Sequence, residues 1–109
     1  NNVITFDEFQ NVELKTAKVL EAEKVDSADK LLKLQVEVGD EKRQLVAGIA
    51  KFYKPEELVG KMIVVVTNLK PATIFGLESY GMLLAAKKGK DLTLITIDGE
   101  KVKSGMKIY

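Results

Sequence analysis

Leu32, Leu34, Val36 and Val38 alternate with Lys33, Gln35 and Glu37, the pattern of a strand that buries one face. Gly39-Asp40 reverses the chain into a partner strand read from Arg43 to Ile49. Upstream, Val12, Leu14 and Thr16 alternate with polar neighbours, and then the apolar phase moves to Ala17 and Val19 and again to Leu20 and Ala22. A phase change inside a strand predicts a bulge or sharp bend, since one slipped residue would otherwise turn the whole apolar set outward. Asp26-Ser27-Ala28-Asp29 is the expected turn between this long first strand and the second.

Two helical signals interrupt the strands. Thr5-Phe6-Asp7-Glu8 has the form of a capping box and predicts one helical turn. Residues Tyr53 to Gly60 place Pro near a helix start, acids in the first turn and Gly as a stop, a short helix between the third and fourth strands. Met62 to Val66 reads as a buried strand; Met82 to Ala86 and Leu92 to Ile97 add two more, joined by a hairpin at Lys88-Gly89-Lys90-Asp91. Between the fourth strand and Met82 lies a segment with Asn68, Lys70, Pro71, Ser79 and two glycines, read as a polar loop carried by a rigid sheet. Asp98-Gly99-Glu100 is a further turn, and Met106 to Tyr109 forms an apolar tail. Together these elements predict an all-β chain: a five-stranded OB-fold Greek-key barrel with a short helix between strands three and four and additions at both ends.

At 109 residues, the expectation is one domain, residues 1–109, long enough to close a core. The Asn1-Asn2 start suggests excision from a longer polypeptide. With no cysteine, neither disulfides nor thiolate metal sites are available, and no run approaches the roughly 18 apolar residues of a membrane helix. No membrane partner and a cytoplasmic location are therefore expected. The formal charge of +1 hides an asymmetry, because residues 61–90 hold five lysines against one acid, Glu78, while residues 1–60 carry nine bases against twelve acids.

Histidine is absent as well, which removes the commonest general base and metal ligand. Asp26 with Asp29 and Asp40 with Glu41 sit in turns, where acids serve local backbone hydrogen bonds. Ser27 and Ser79 have no histidine to activate them. The chain is therefore expected to bind rather than catalyse, without cofactor or metal. Proteins that grip single strands stack bases on aromatic platforms, but no aromatic lies between Leu31 and Lys51. The positions read as outward on strands two and three are Lys33, Gln35, Lys42, Arg43 and Gln44, groups suited to phosphate and ribose, which favours a folded RNA recognised by shape.

The same residues have plainer readings. Lysines alternating with acids commonly form a solvated face. Asn68 and Pro71 are also ordinary turn residues, Gly76 and Gly81 can serve backbone geometry, and Met82 fits a core position.

Four blocks carry a resemblance: Ser27-Ala28-Asp29-Lys30-Leu31-Leu32-Lys33-Leu34, Arg43 to Ile49, Asn68-Leu69-Lys70-Pro71, and Ser79 to Ala85. In this order and spacing the chain resembles, from about Ile4 to its end, the structure-specific tRNA-binding domain found at the C-terminus of many bacterial methionyl-tRNA synthetases and as a free-standing protein. Related branches are eukaryotic synthetase-associated cytokine precursors and small dimeric export chaperones.

The resemblance implies an OB barrel with terminal additions, a homodimer, and binding to the outer corner of tRNA with little sequence preference. It also implies covalent attachment to synthetase catalytic and anticodon-binding domains, where such a module raises the local tRNA concentration. Carried over by position, Lys33, Arg43 and Lys70 would meet phosphates, Asn68 and Ser79 would hydrogen-bond ribose or backbone, and Met82 would offer an apolar contact. Ala72-Thr73 stands where many relatives carry bases, which implies a smaller contribution from this loop.

Overall fold

The structure is a computed structural model and describes residues 2–109. Helix α1 (Phe6–Gln10) is held by its capping box: Thr5 Oγ1 accepts from Glu8 N at 3.1 Å and Glu8 Oε1 accepts from Thr5 N at 3.0 Å. Strand β1 (Leu14–Val25) follows and changes partners along its length. From Leu14 to Lys18 it pairs with β4 (Met62–Val66), and from Lys18 to Val25 with β2 (Ala28–Val38). The register slips between Val19 and Glu21, where the apolar phase change predicts a bulge. The bulge lets one strand serve two parts of a strongly curved sheet.

The turn into β2 is tighter than the expected four residues: Asp26 and Ser27 alone make it, Ser27 at φ +66°, and Ala28 already pairs with Val25. Short polar residues tolerate this left-handed geometry through local hydrogen bonds. Strand β3 (Glu41–Ala47) starts before and ends before the span read from sequence, and it pairs with β2 through Leu34 with Leu45, Val36 with Arg43 and Val38 with Glu41. This register puts Arg43 on the core-facing side with Val36 and Leu45, not among the outward residues. Gln35 with Gln44 and Glu37 with Lys42 form the outer face as expected.

Helix α2 (Pro55–Leu58) lies between β3 and β4. Glu57 Oε1 accepts from Lys54 N at 2.7 Å, and Leu58, with no exposed surface, joins the core. Gly60, at φ +92°, ends the helix and donates to Val19 O at 2.8 Å, which fastens the helix to β1.

Beyond β4 the polar loop proves to contain a hairpin of β5 (Ala72–Ile74) and β6 (Leu77–Ser79), turned by Phe75 and Gly76 at φ +52° and +79°. Two successive positive φ values are what a tight two-residue hairpin needs, and the non-glycine Phe75 hides that signal in the sequence. The strand expected from Met82 to Ala86 is split at Leu84 into β7 (Met82–Leu83), which pairs with β4, and β8 (Ala85–Lys88). Strand β9 (Asp91–Leu94) pairs with β8 across the expected turn, and Thr96 adds a bridge to Ile63. Finally β10 (Lys107–Ile108) lies along the first residues of β1, on the edge that β2 leaves free.

The principal sheet thus has the order β3-β2-β1-β4-β7, antiparallel, with the short helix between its third and fourth strands as an OB-like fold requires. Leu32, Leu34, Val36, Leu45, Leu58, Ile63 and Val65 are fully buried at its centre. Between the two ends of the sheet, Tyr80 N donates to Gln44 O at 2.8 Å.

Candidate nucleic-acid interface

The first residues of β3, the loop after β4 and the Ser79–Gly81 turn meet at one end of the sheet. Arg43 joins them. Its side chain starts on the core-facing side of β3, runs past the end of the apolar cluster and donates from Nη1 to Thr67 O at 2.7 Å and Tyr80 O at 3.1 Å, while Nε pairs with Glu41 Oε1 at 2.8 Å. Most of the fork of donors is therefore used inside the protein.

Ser79 lies beside it and is buried. Its hydroxyl accepts from Val46 N at 3.0 Å and donates to Gly81 O at 2.9 Å, replacing ladder bonds that the edge of β3 would otherwise lack. Gly81 at φ +127° makes this turn possible: a Cβ there would stand 2.8 Å from Val66 O. Asn68 is spent in the same way. Its Oδ1 accepts from Glu13 N at 2.9 Å and its Nδ2 donates to Asn11 O at 2.7 Å, which ties the loop to the segment after α1. Next to it Thr67 Oγ1 donates to the Glu13 carboxylate at 2.6 Å, a bond that holds this carboxyl below its usual pKa.

The structure therefore brings Arg43, Asn68, Ser79 and Met82 into one region, with Lys70 two residues along the loop from Asn68. Met82 is half-buried against the core and pairs with Val66. Lys70 is exposed and, among the described residues, makes no ion pair or side-chain hydrogen bond. Lys33 stands apart. It lies on the outer face of β2, paired with Glu23 Oε1 at 2.8 Å, in a groove shared with Asp26 and Leu77.

Glu41, Lys42, Arg43, Leu69, Pro71 and Tyr80 line an open groove of about 420 Å³ at this end of the sheet. Lys42 is one of the outward groups that the sequence marks as suited to phosphate, whereas Leu69 and Tyr80 are not among the contacts drawn from the sequence. Tyr80 matters most, because its main-chain bond to Gln44 sets an aromatic ring, 43% exposed, at the edge of β3. The strands themselves carry no aromatic, but the turn brings one to them. Its sequence signal is the tyrosine of the Ser-Tyr-Gly-Met block, whose neighbours on both sides are buried. The site thus combines cations, main-chain groups and one aromatic face, which suits a phosphate backbone with a base or ribose alongside. Among the described residues no cluster of His, Cys, Asp or Glu could hold a metal ion, and no helix is long and apolar enough to cross a membrane.

Residues 14–107 match the family model described as "Putative tRNA binding domain". The chain is 62% identical over 107 residues to a methionine--tRNA ligase of Thermotoga maritima, which covers 98% of this chain and 17% of that protein. It therefore spans about a sixth of the length of the curated relatives it matches. The structure superimposes on a MetRS-related protein from Pyrococcus horikoshii with TM-score 0.94 at 39% identity, covering all of both chains. It superimposes on the chaperone CsaA of Bacillus anthracis with TM-score 0.89 at 28% identity, covering 98% of this chain and 99% of that one. From β1 to the tail strand β10, the chain belongs to the tRNA-binding domain family.

Proposed function

We propose that residues 1–109 form a single OB-type domain that binds tRNA by shape, with little sequence preference, as the appended C-terminal domain of a methionyl-tRNA synthetase in the cytoplasm. The observation that carries this reading is the meeting of Lys42, Arg43, Leu69 and Tyr80 around one open groove inside the span matched to the family. In this reading the domain performs no chemistry and uses no cofactor. It holds tRNA near the synthetase's catalytic and anticodon-binding domains, raising its effective concentration.

Lys33 and Lys70 meet phosphates directly, Met82 lends an apolar edge, and Arg43, Asn68 and Ser79 act by holding the loop and turn that shape the groove. The exposed Phe6, Met106 and Tyr109 at the two ends of the chain support a homodimer built from the terminal additions. The full-length match to the MetRS-related protein supports an alternative, a free-standing dimeric tRNA-binding protein, and the match to CsaA supports a more distant one, a chaperone-like member that binds polypeptide rather than tRNA.

A competition assay separates these. Labelled tRNA should be displaced by unrelated tRNAs at similar concentrations, and only at much higher concentrations by oligo-U of equal length. Equal competition by oligo-U would refute shape recognition, and preference for an unfolded protein would favour the chaperone reading. Light scattering tests the dimer, and a mass that stays near 12.1 kDa at micromolar concentration would refute it.

A further inference from the structure

In the groove at the first residues of β3, Arg43 is bonded to Glu41, Thr67 and Tyr80, which leaves Lys42 as the one lining cation that, among the described residues, forms no ion pair. The lysine-rich part of the sequence lies elsewhere, on the β8–β9 hairpin. Lys87, Lys88 and Lys90 are all exposed there and, among the described residues, form no ion pair, although Asp91 is the cross-strand neighbour of Lys88.

These lysines do not stand on an isolated finger. Tyr53 Oη accepts from Leu94 N at 3.0 Å and lies 3.4 Å from Thr93 Oγ1, so the segment before α2 is clamped to β9. The clamp sets Phe52, 37% exposed, against the hairpin. The result is an open groove of about 400 Å³ lined by Phe52, Ala86, Leu92 and the three lysines, with Thr93 and Asp91 at its side. An aromatic face ringed by unpaired ammonium groups on an apolar floor matches a nucleotide in a chain, with its base against the ring and its flanking phosphates on the lysines.

We infer that this hairpin groove is a second RNA contact, separate from the groove at Arg43 and Tyr80. The two lie at opposite ends of β3. Arg43 is near its start, whereas Phe52 follows its last residue, Ala47, in a segment tied back to the beginning of β2 by Ala50 N donating to Lys30 O at 3.0 Å. Tyr80 in one groove and Ala86 in the other are six residues apart in the chain, which at about 3.3 Å per residue sets them at most roughly 20 Å apart, the reach of a few phosphates along an RNA. A folded RNA spans that distance with a defined shape, while a short oligomer reaches one site at a time. The inference rests on the tRNA-binding reading and adds a place of contact and a chemistry to it.

The test compares two triple variants of the 109-residue chain. In one, Lys87, Lys88 and Lys90 are changed to Ala; in the other, the exposed Lys18, Lys101 and Lys103 are, which removes the same charge elsewhere. Affinity for tRNA is measured across a salt series, with thermal unfolding as the control for folding. The hairpin triple should flatten the salt slope by about two to three units, one per phosphate contact, and the control triple by less than one. Phe52→Ala should weaken binding roughly tenfold with an unchanged slope, because it removes stacking without releasing counterions.

Equal slopes in the two triples would overturn the inference in favour of a diffuse basic field. So would a hairpin triple that binds as the parent does. If the parent chain prefers unfolded RNA to tRNA, the shape reading fails, and the same variants measured on that RNA still decide the hairpin site. If the parent binds neither RNA, both readings fall.

Discussion

Arg43 donates from Nη1 to the main-chain carbonyl of Thr67 at 2.7 Å, bridging β3 to the residue that follows β4, on the far side of the sheet order. The bond is charge-assisted and partly buried, and the same nitrogen reaches Tyr80 O at 3.1 Å. An arginine so placed holds the two ends of the sheet near each other. Its removal should therefore act on folding as well as on RNA.

Arg43→Ala should lower stability by about 1–2 kcal/mol, the cost of leaving the part-buried Thr67 carbonyl without its charged donor while the Tyr80 carbonyl and the Glu41 carboxylate turn to water. Arg43→Lys should recover only part of this, because an ammonium cannot serve Glu41, Thr67 and Tyr80 in one plane. Denaturant midpoints of the three proteins give the comparison. An Arg43→Ala protein as stable as the parent that nevertheless loses tRNA would return the residue to the role of a plain phosphate contact.

Ser79→Ala should destabilise by about 1–3 kcal/mol, since Val46 N is buried and would lose its acceptor. Loss of tRNA affinity should follow the loss of structure, with little change in salt slope. If unfolding is unaffected while affinity falls, the hydroxyl is instead a direct contact.

These two residues show where the sequence can be read and where it cannot. Period-two alternation in Leu32 to Val38 gives β2 and its buried face directly, and the phase change near Leu20 gives the bulge in β1. The facing of Arg43 depends on the register of β3 against β2, a tertiary pairing fixed by where the Gly39-Asp40 turn falls. Shifting the strand's apparent start by two residues leaves the pattern plausible while its polar end is misjudged. In the same way, the pairs Asn68 with Glu13 and Ser79 with Val46 join residues far apart in the chain. A side chain's type announces that it will hydrogen-bond; only the fold decides whether the partner is the protein or a ligand.

Gly105→Ala should cost about 2–4 kcal/mol. Gly105 has φ +85°, and a Cβ would lie 2.6 Å from Gly39 Cα and 2.7 Å from Gly39 N, main-chain atoms that cannot swing aside. This close approach docks the tail onto the β2–β3 turn, with Ser104 Oγ accepting from Gly39 N at 3.0 Å and Gly105 N donating to Thr16 O at 2.7 Å. Gly39→Ala, at φ +67° but with nothing nearer than 3.7 Å, should cost only about 1 kcal/mol. Equal losses in thermal unfolding of the two variants would mean that backbone conformation alone, and not the contact, governs both sites.

Glu13 gives the fold a pH-dependent contact. Its carboxylate accepts from Thr67 Oγ1 at 2.6 Å, and that bond, more than the neighbouring Lys15 and Arg43, holds its pKa below the usual 4.5. A group whose pKa is lower folded than unfolded favours the folded state when ionised. Its contribution is complete above about pH 4.5 and is lost as pH falls through the lower folded value. Because Glu13 is exposed, the effect should be small and weakened by salt. Melting temperatures of the parent and of Glu13→Gln should thus differ at pH 7 and converge toward pH 3, and Thr67→Val should reduce the pH dependence of that difference, leaving the smaller part due to Lys15, Arg43 and Lys107. A gap between parent and Glu13→Gln that stays constant from pH 7 to pH 3 would show that the carboxylate's charge plays no part in holding the segment after α1 to the loop after β4.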